Sequence, residues 1–431
     1  MTLSRRQLLR VGAVGAGVSV SGWLGRLAAN EPKPRRSVIL LWMAGGPATI
    51  DLFDLKPGHD NGGPFRPVDT TAPGLRIGEH LPRLAMHGKH LAVLRGMTTR
   101  EGDHGRGTYL MRTGVVPSAA GIHYPSVGAL VSKELGDPTS ELPNFVSIAP
   151  QRFFSQEAYG PGFLGPQHAP LIVGDGQFNA NVPDVDNVLR VQDLARPRDV
   201  TEEAGLSRLD LLRGVHDDFA ATHPGGVTRA HASAYDRAVR LMRSAGGKVF
   251  DLTEEKANVR DAYGRNLFGQ GCLLARRLVE RGVSFVEVTL GGWDTHQNNH
   301  DQVRNLCGTL DRAWAQLLSE LKDRGLLERT TVVWAGEFGR TPRINQQRGR
   351  DHFSTAWSTV LAGGGVKGGQ AVGRTSADGM TVEDRPVSAG DFLATVCRVA
   401  GIDPEKQNMS NVGRPIPIAD RGATPVTEVV A

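Results

Sequence analysis

Gly291 to His300 reads G-G-W-D-T-H-Q-N-N-H and places one carboxylate, Asp294, within a few residues of two imidazoles, His296 and His300. Oxygen and nitrogen donors in one loop suit zinc, manganese or iron better than magnesium or calcium. If the chain turns helical after Thr295, the two histidines stand four apart on one face, and Asp294 can close on a cation bound by either. The same residues allow a second reading, in which Asp294 or Thr295 caps the helix that follows. Three other loops carry comparable groups: Asp51, then Asp103-His104, then Glu337 and Arg340 followed by Asp351-His352. Asp351 either binds a metal or orients His352. The planar fork of Arg340 suits an anionic oxyester, or an ordinary surface ion pair. Of the 13 histidines, the nine outside these loops have no partner spacing and read as surface or packing residues.

Each of these loops follows or adjoins an apolar run. Ser37–Met43 (S-V-I-L-L-W-M), Val283–Leu290 and Thr330–Ala335 are rich in β-branched residues and bounded by glycine or by turn residues, so they read as buried strands. Leu91–Leu94, Phe145–Ile148 and Thr359–Ala362 are shorter candidates. Helical spacing of apolar residues marks Leu206–Thr222, Ala230–Ser244, Arg265–Arg281, Gln302–Arg324 and Ala389–Ala400, with two further faces near Tyr109 and Val127. Helix followed by strand at Arg265–Leu290 is one arm of a parallel crossover. The expected fold is α/β: a mostly parallel central sheet with helices on both faces. Loops at the C-terminal edge of such a sheet collect ligands, so four polar loops there imply one convergent metal site.

The 431 residues begin with S-R-R-Q-L-L-R at Ser4–Arg10 and a glycine-rich apolar segment to about Ala29. This pattern predicts a twin-arginine export signal over residues 1–29, a Pro-rich linker over 30–36 and a single domain over 37–431, with a loop-rich insertion near 150–200. The destination is then the periplasm or another extracytoplasmic space, with membrane attachment only if the signal stays uncleaved. Loss of residues 1–29 removes Arg5, Arg6, Arg10 and Arg26 and no acid, lowering the formal charge from +5 to +1. No basic stripe remains to argue for nucleic acid. Cys272, Cys307 and Cys397 form no metal or disulfide pattern and read as small buried hydrophobes.

The blocks G-G-P-A-T-I-D-L-F-D-L-K-P, G-G-W-D-T-H-Q-N-N-H, G-E-F-G-R-T-P and G-R-D-H-F, with L-A-G-G-G-V-K-G-G beyond, resemble the DUF1501 family over nearly the whole mature chain. That resemblance implies exported proteins of the alkaline phosphatase and sulfatase superfamily, in which two metals, often zinc, flank a nucleophile at a helix N-terminus. It implies that Asp294 with His300 or His296 shares the first metal and that His352 completes that site. Glu337 falls at a second-metal position, and Asp51 stands after a first strand whose end, Met43-Ala44-Gly45-Gly46, lacks the family's acid. Counting back from Thr113-Gly114 puts His104 at the nucleophile position, as metal ligand, base or phosphoryl acceptor. The sulfatase modification motif C/S-x-P-x-R is absent there, which excludes formylglycine chemistry. The expectation is therefore one or two divalent ions and hydrolysis or transfer at a phosphate or sulfate ester. Two alternatives are a non-catalytic binding protein that keeps the fold and, more weakly, a structural partner of another exported protein.

Overall fold

The alternation of β1, Ser37–Met43, sets the layers. Ile39, Leu41 and Met43 enter one core with Cys272, Leu273 and Trp314, while Val38, Leu40 and Trp42 enter another with Met111, Val127 and Val396. Side chains of a strand point alternately to opposite faces, so a run that is apolar throughout must be covered on both. The computed structural model describes residues 35–431 apart from 118–120, 176–181, 193, 195, 224 and 244; the expected signal over 1–29 and most of the 30–36 linker lie outside the described residues.

Seven further strands join β1: β2 (Leu91–Met97), β3 (Phe145–Ile148), β4 (Leu171–Val173), β5 (Phe285–Leu290), β6 (Thr330–Ala335), β7 (Trp357–Gly363) and β8 (Gln370–Val372). They form an 8-stranded sheet in the order β8-β2-β7-β6-β1-β5-β3-β4. Every pairing is parallel except those of β7, which runs antiparallel to β2 and β6. The reversal brings the start of β7, and the loop before it, to the edge where β1, β5 and β6 end. Loops from both halves of the chain therefore meet at one edge.

The helices of eight residues or more are α1 (His104–Thr113), α2 (Val127–Leu135), α3 (Glu202–Thr222), α4 (Gly226–Arg243), α5 (Leu267–Glu280), α6 (Asn299–Asp323) and α7 (Ala389–Ala400). Helices α5 and α6 cover one face of the sheet, and α1, α2 and α7 the other. No residue of α3 is buried, and Leu211, Val215 and Phe219 of that helix stand exposed. Between β3 and α3 the described residues are mostly loop, with short 3-10 turns at Glu157–Tyr159, Gly162–Leu164 and Pro166–His168, the strand β4 and a one-turn helix at Val185–Val188. Among the described residues no helix is long and apolar enough to cross a membrane.

Two buried ion pairs fix the loops of the site edge. Arg112, near the end of α1, pairs with Glu287 in the middle of β5, lies 3.8 Å over the Tyr159 ring and donates to Ala158 O at 2.9 Å. Asp51, after β1, accepts from Arg350 Nε at 2.9 Å and Nη2 at 2.7 Å, and from Asn299 Nδ2 at 2.7 Å. Burial works to raise the Asp51 pKa, but the Arg350 charge and the bonds from His300 and Arg350 outweigh it and hold it below its ordinary value. Removing one partner of such a pair strands the other without water. Asp51→Asn should lower unfolding free energy in urea by about 3–5 kcal/mol. Adding Arg350→Met should cost less than the sum of the two single changes; strict additivity would show that the pair is not energetically coupled.

Candidate functional site

The loop after β5 does not turn helical at Thr295. Gln297 bridges to Arg348, Asn298 takes a left-handed conformation (φ 44°, ψ 43°), and α6 begins only at Asn299. His296 therefore precedes the helix and His300 lies within it, so the two never share a face. This corrects the shared site expected from their four-residue spacing. The His300 side chain meets Asp51 instead: its Nε2 is 3.7 Å from Asp51 Oδ1, and its ring packs edge-on against Phe65. The expected metal role of Asp51 is corrected for the same region, because Arg350 and Asn299 take both of its oxygens. Capping is corrected as well: the residue before α6 is Asn298, with no side-chain cap, and Thr295 Oγ1 instead donates to Asn299 Oδ1 at 2.7 Å.

Asp294, His296, His352 and His104 do converge. From Asp294 Oδ1, His296 Nε2 lies at 3.0 Å, His352 Nε2 at 3.3 Å and His104 Nε2 at 3.5 Å. The two nitrogens His296 Nε2 and His352 Nε2 are 3.1 Å apart. The loops that carry them are laced together by backbone bonds, Asn299 N to Arg348 O at 2.9 Å and Arg350 N to Thr295 O at 3.1 Å. A two-residue ribbon pairs His352 with Arg340.

The opposite nitrogen of each imidazole is held by an oxygen. His104 Nδ1 donates to Glu337 Oε1 at 2.8 Å, His296 Nδ1 to Asp351 Oδ1 at 2.8 Å and His352 Nδ1 to the carbonyl of Gly102 at 2.7 Å. A carbonyl can only accept, and an ionised carboxylate likewise, so Nδ1 carries the hydrogen and each neutral ring turns a lone pair inward from Nε2. Three such lone pairs then face a carboxylate oxygen. Arg340 already brings one positive charge to Asp294 Oδ1, and protons on the imidazoles or a metal cation in their place would hold the facing lone pairs together.

The residues fit a metal. The ligand atoms of His104, Asp294 and His352 all lie within 4.8 Å of one another, and His104 Nε2 and Glu337 Oε2 are buried without a hydrogen-bond partner. Donors of this kind, two or three imidazoles and one carboxylate, suit zinc, and also manganese or iron. Glu337 sits behind His104, and its Oε1 also accepts from Gly45 N at 2.8 Å. Asp351 likewise stands behind His296.

Arg340 is buried, and all its donors are taken. Nε donates to Gly46 O at 2.8 Å, Nη1 faces His296 Nε2 at 3.3 Å and Arg350 O at 3.4 Å, and Nη2 bonds Gly45 O and Asp294 Oδ1. The anion clamp expected of it is thus replaced by a brace that aims Asp294. The glycine pair after β1 leaves no room for a side chain there: a Cβ on Gly45, at φ 112°, would lie 2.5 Å from Asp294 N. The first loop gives the site backbone groups where a side chain does not fit. Sequence reasoning missed the Gly102 carbonyl, which no side chain signals, and Phe154, whose ring stacks on His104 at 4.5 Å and 18°.

Electrostatics follow from this packing. Burial works to raise the Asp294 pKa, but the His104 and His352 imidazoles beside it and the Arg340 guanidinium hold it well below the usual carboxylate range. Burial alone would lower the His104 pKa; the Asp294 and Glu337 carboxylates on its two nitrogens outweigh that and raise it to about 9. A raised folded-state pKa adds stability that is complete below the ordinary value of 6.5 and lost as pH rises through about 9. Metal-free protein should therefore lose stability to urea between those two values, and His104→Gln should flatten the loss. An unchanged slope in the variant would show that another group carries it.

Several solved structures resemble the chain loosely. A lipoteichoic acid synthase from Listeria monocytogenes matches at TM-score 0.41 and 9% identity, over 90% of this chain and 74% of that one. A sulfatase from Pseudoalteromonas sp. matches at 0.42 and 13%, over 88% and 70%. A protein in the alkaline phosphatase superfamily from Vibrio parahaemolyticus matches at 0.40 and 12%, over 85% and 67%. No curated protein matches the sequence. The family model for proteins of unknown function DUF1501 covers residues 35–430, and the chain belongs to that family.

Proposed function

We propose that the protein is an exported metal-dependent hydrolase of phosphate or sulfate esters that works through one divalent cation, zinc by its donor set, without a covalent side-chain nucleophile. The observation that carries this reading is the triple fixing of Nδ1, which leaves three Nε2 lone pairs around Asp294 Oδ1. His104, Asp294 and His352 are the ligands in this reading. A divalent cation held by them supplies Lewis acidity for an ester oxygen.

His296 has a different task. Its side chain is 41% exposed beside that of Asp294 at 44%, so this pair forms the open side of the site. With Asp351 holding Nδ1–H, His296 Nε2 is the acceptor that takes a proton from an attacking water in this reading, once its 3.3 Å contact with Arg340 Nη1 gives way. Arg340 fixes Asp294 from behind, and Glu337 fixes His104. Formylglycine chemistry has no place here: an imidazole stands at position 104, and all three cysteines are free and buried.

One observation favours a second reading. His104 stands where the resemblance puts a hydroxyl or thiol, and no donor of Arg340 is left to grip an anion, as expected of a binding protein that kept the fold and lost the chemistry. The two readings separate on one protein. Alanine at His104, Asp294 or His352 should each strip bound zinc, measured by metal analysis after gel filtration. His296→Ala should keep the zinc and lower turnover of phosphate or sulfate esters by about 10²–10⁴-fold. Asp351→Asn should lower it by about 10–100-fold. Full zinc in all three ligand variants would refute the site; zinc without turnover in the wild type would establish the binding protein.

Export rests on the leader at residues 1–29, which carries the folded and metal-loaded chain out of the cytoplasm in this reading. Changing Arg5 and Arg6 together to Lys should leave the precursor in the cytoplasmic fraction. Unaltered export would refute the twin-arginine route.

A further inference from the structure

Helix α3 carries more apolar residues than its own chain covers. Its inner side is accounted for, since Leu209 and Leu212 share a small cavity with Ala232 and Val239 of α4. On another side Leu211, Val215 and Phe219 are 71%, 57% and 52% exposed. They recur every four residues and therefore form one stripe along the helix. His223 stacks on one face of the Phe219 ring at 4.3 Å, and no residue of α3 is buried. Large apolar side chains that stand together in water mark an interaction surface.

The residues around the stripe say what covers it. Arg208 stands three positions before Leu211 and Asp218 three after Val215, so both flank the stripe on its own face, and both are exposed. Ser207 stands four before Leu211 and Phe219 four after Val215; Ala204 and Thr222 lie seven away on either side. The pattern is centred on Arg213, which itself falls on the opposite side of the helix and pairs with Asp210 at 3.5 Å. A second α3 laid antiparallel about that centre sets Leu211 against the partner's Val215, Arg208 against the partner's Asp218, and Phe219 against the partner's Ser207. A two-fold contact is reciprocal, so each pairing occurs twice. Laid parallel, the same stripe would set Arg208 against the partner's Arg208 and Asp218 against the partner's Asp218. Among the described residues neither Arg208 nor Asp218 has an ion-pair partner within its own chain.

We infer that α3 is the seam of a homodimer, in which two copies pack antiparallel through Leu211, Val215 and Phe219 and each Arg208 pairs with the partner's Asp218. The occupant of the stripe is thus a second copy of this chain, and the inference is independent of the hydrolase reading. A single helix-on-helix seam buries less than the roughly 1,200 Å² at which stable interfaces begin, so the dimer is reversible and depends on concentration.

Sedimentation equilibrium of the exported chain, from micromolar to millimolar concentration, tests the seam. The wild type should pass from monomer to dimer within that range. Leu211→Asp should weaken the dimer by at least about tenfold, since the change enters twice, while the monomer folds as before because Leu211 is exposed in it. Arg208→Asp should weaken it by about tenfold, because like charges then meet at both ends of the seam. Adding Asp218→Arg restores opposite charges and should return the dimer to within about twofold of wild type. An acid toward the start of α3 and a base toward its end suit the helix dipole, so neither exchange weakens the helix itself. A chain that stays monomeric at millimolar concentration, a dimer untouched by Leu211→Asp, or a double variant no better than Arg208→Asp would each overturn the seam. Alkylation of Leu211→Cys identifies any other occupant, because the three native cysteines are buried. Protection that rises with concentration supports the second copy. Protection only while residues 1–29 remain attached assigns the stripe to the leader, and full labelling at every concentration leaves it to another protein; either result overturns the dimer.

Discussion

Asp51 and Arg350 are 299 positions apart, and neither exposes its side chain, yet they join at 2.7 Å. This pair is the constraint on which the candidate site depends. Arg350 stands next to Asp351 and two residues before His352, so tying it to the loop after β1 sets where the last imidazole enters. Asn299 bonds the same carboxylate and opens α6, which sets where the loop carrying Asp294 and His296 must end. A buried ion pair contributes little net stability compared with an apolar pair, because desolvation offsets its attraction. What it gives here is register. Three loops from distant parts of the chain meet at one carboxylate, and a shift in any of them would leave a charge in a dry interior.

The same logic operates on α1 from the other side. Arg112 and Glu287 fasten the C-terminal part of α1 to the centre of β5, while Asp103 caps its first turn by accepting from Arg106 N at 3.0 Å. His104 is the first residue of that helix, so its ring is fixed by a lock at each end of the element. Glu337 and Phe154 then hold the ring on two sides. Rigidity of this kind is what a cation site needs, since lone pairs that face one another must be kept from turning aside when the cation is absent. The Asp294 and Glu337 carboxylates on its two sides raise the His104 pKa to about 9, so the fixed ring favours a proton where no cation is bound.

Much of the architecture was legible because it rests on local pattern. Continuous apolar runs became β1, β5 and β6 with bounds within two residues of those read from sequence, and the helix expected over 389–400 was found there. The candidate site was legible in its place at the sheet edge and in the convergence of Asp294, His296, His104 and His352 there. Its pairing was not. The four-residue spacing of His296 and His300 argued for one helical face, and the pairing of Gln297 with Arg348 overrode it through a contact that no local pattern announces. Asp51 read as a ligand because a carboxylate at a strand end has the same letter whether it faces a metal or an arginine. Arg340 read as an anion clamp because the backbone oxygens of Gly45 and Gly46 that take its donors leave no mark beyond two glycines. Apolar spacing in Leu206–Thr222 predicted a helix correctly, but the helix buries no residue, since periodicity reports a face without saying what covers it.

The distribution of charge argues for one cation over two. A second metal beside the first would need donors of its own, and few are left: Asp51 is committed to Arg350, and Glu337 spends Oε1 on the Nδ1 of His104 and on Gly45 N, leaving Oε2 alone. Arg340 also stands buried against Asp294 and already brings one fixed positive charge to the cluster. What the cluster offers is three Nε2 nitrogens and one carboxylate oxygen beside a fixed guanidinium, a donor set and charge that suit one cation better than two, and the one-cation proposal rests on that balance.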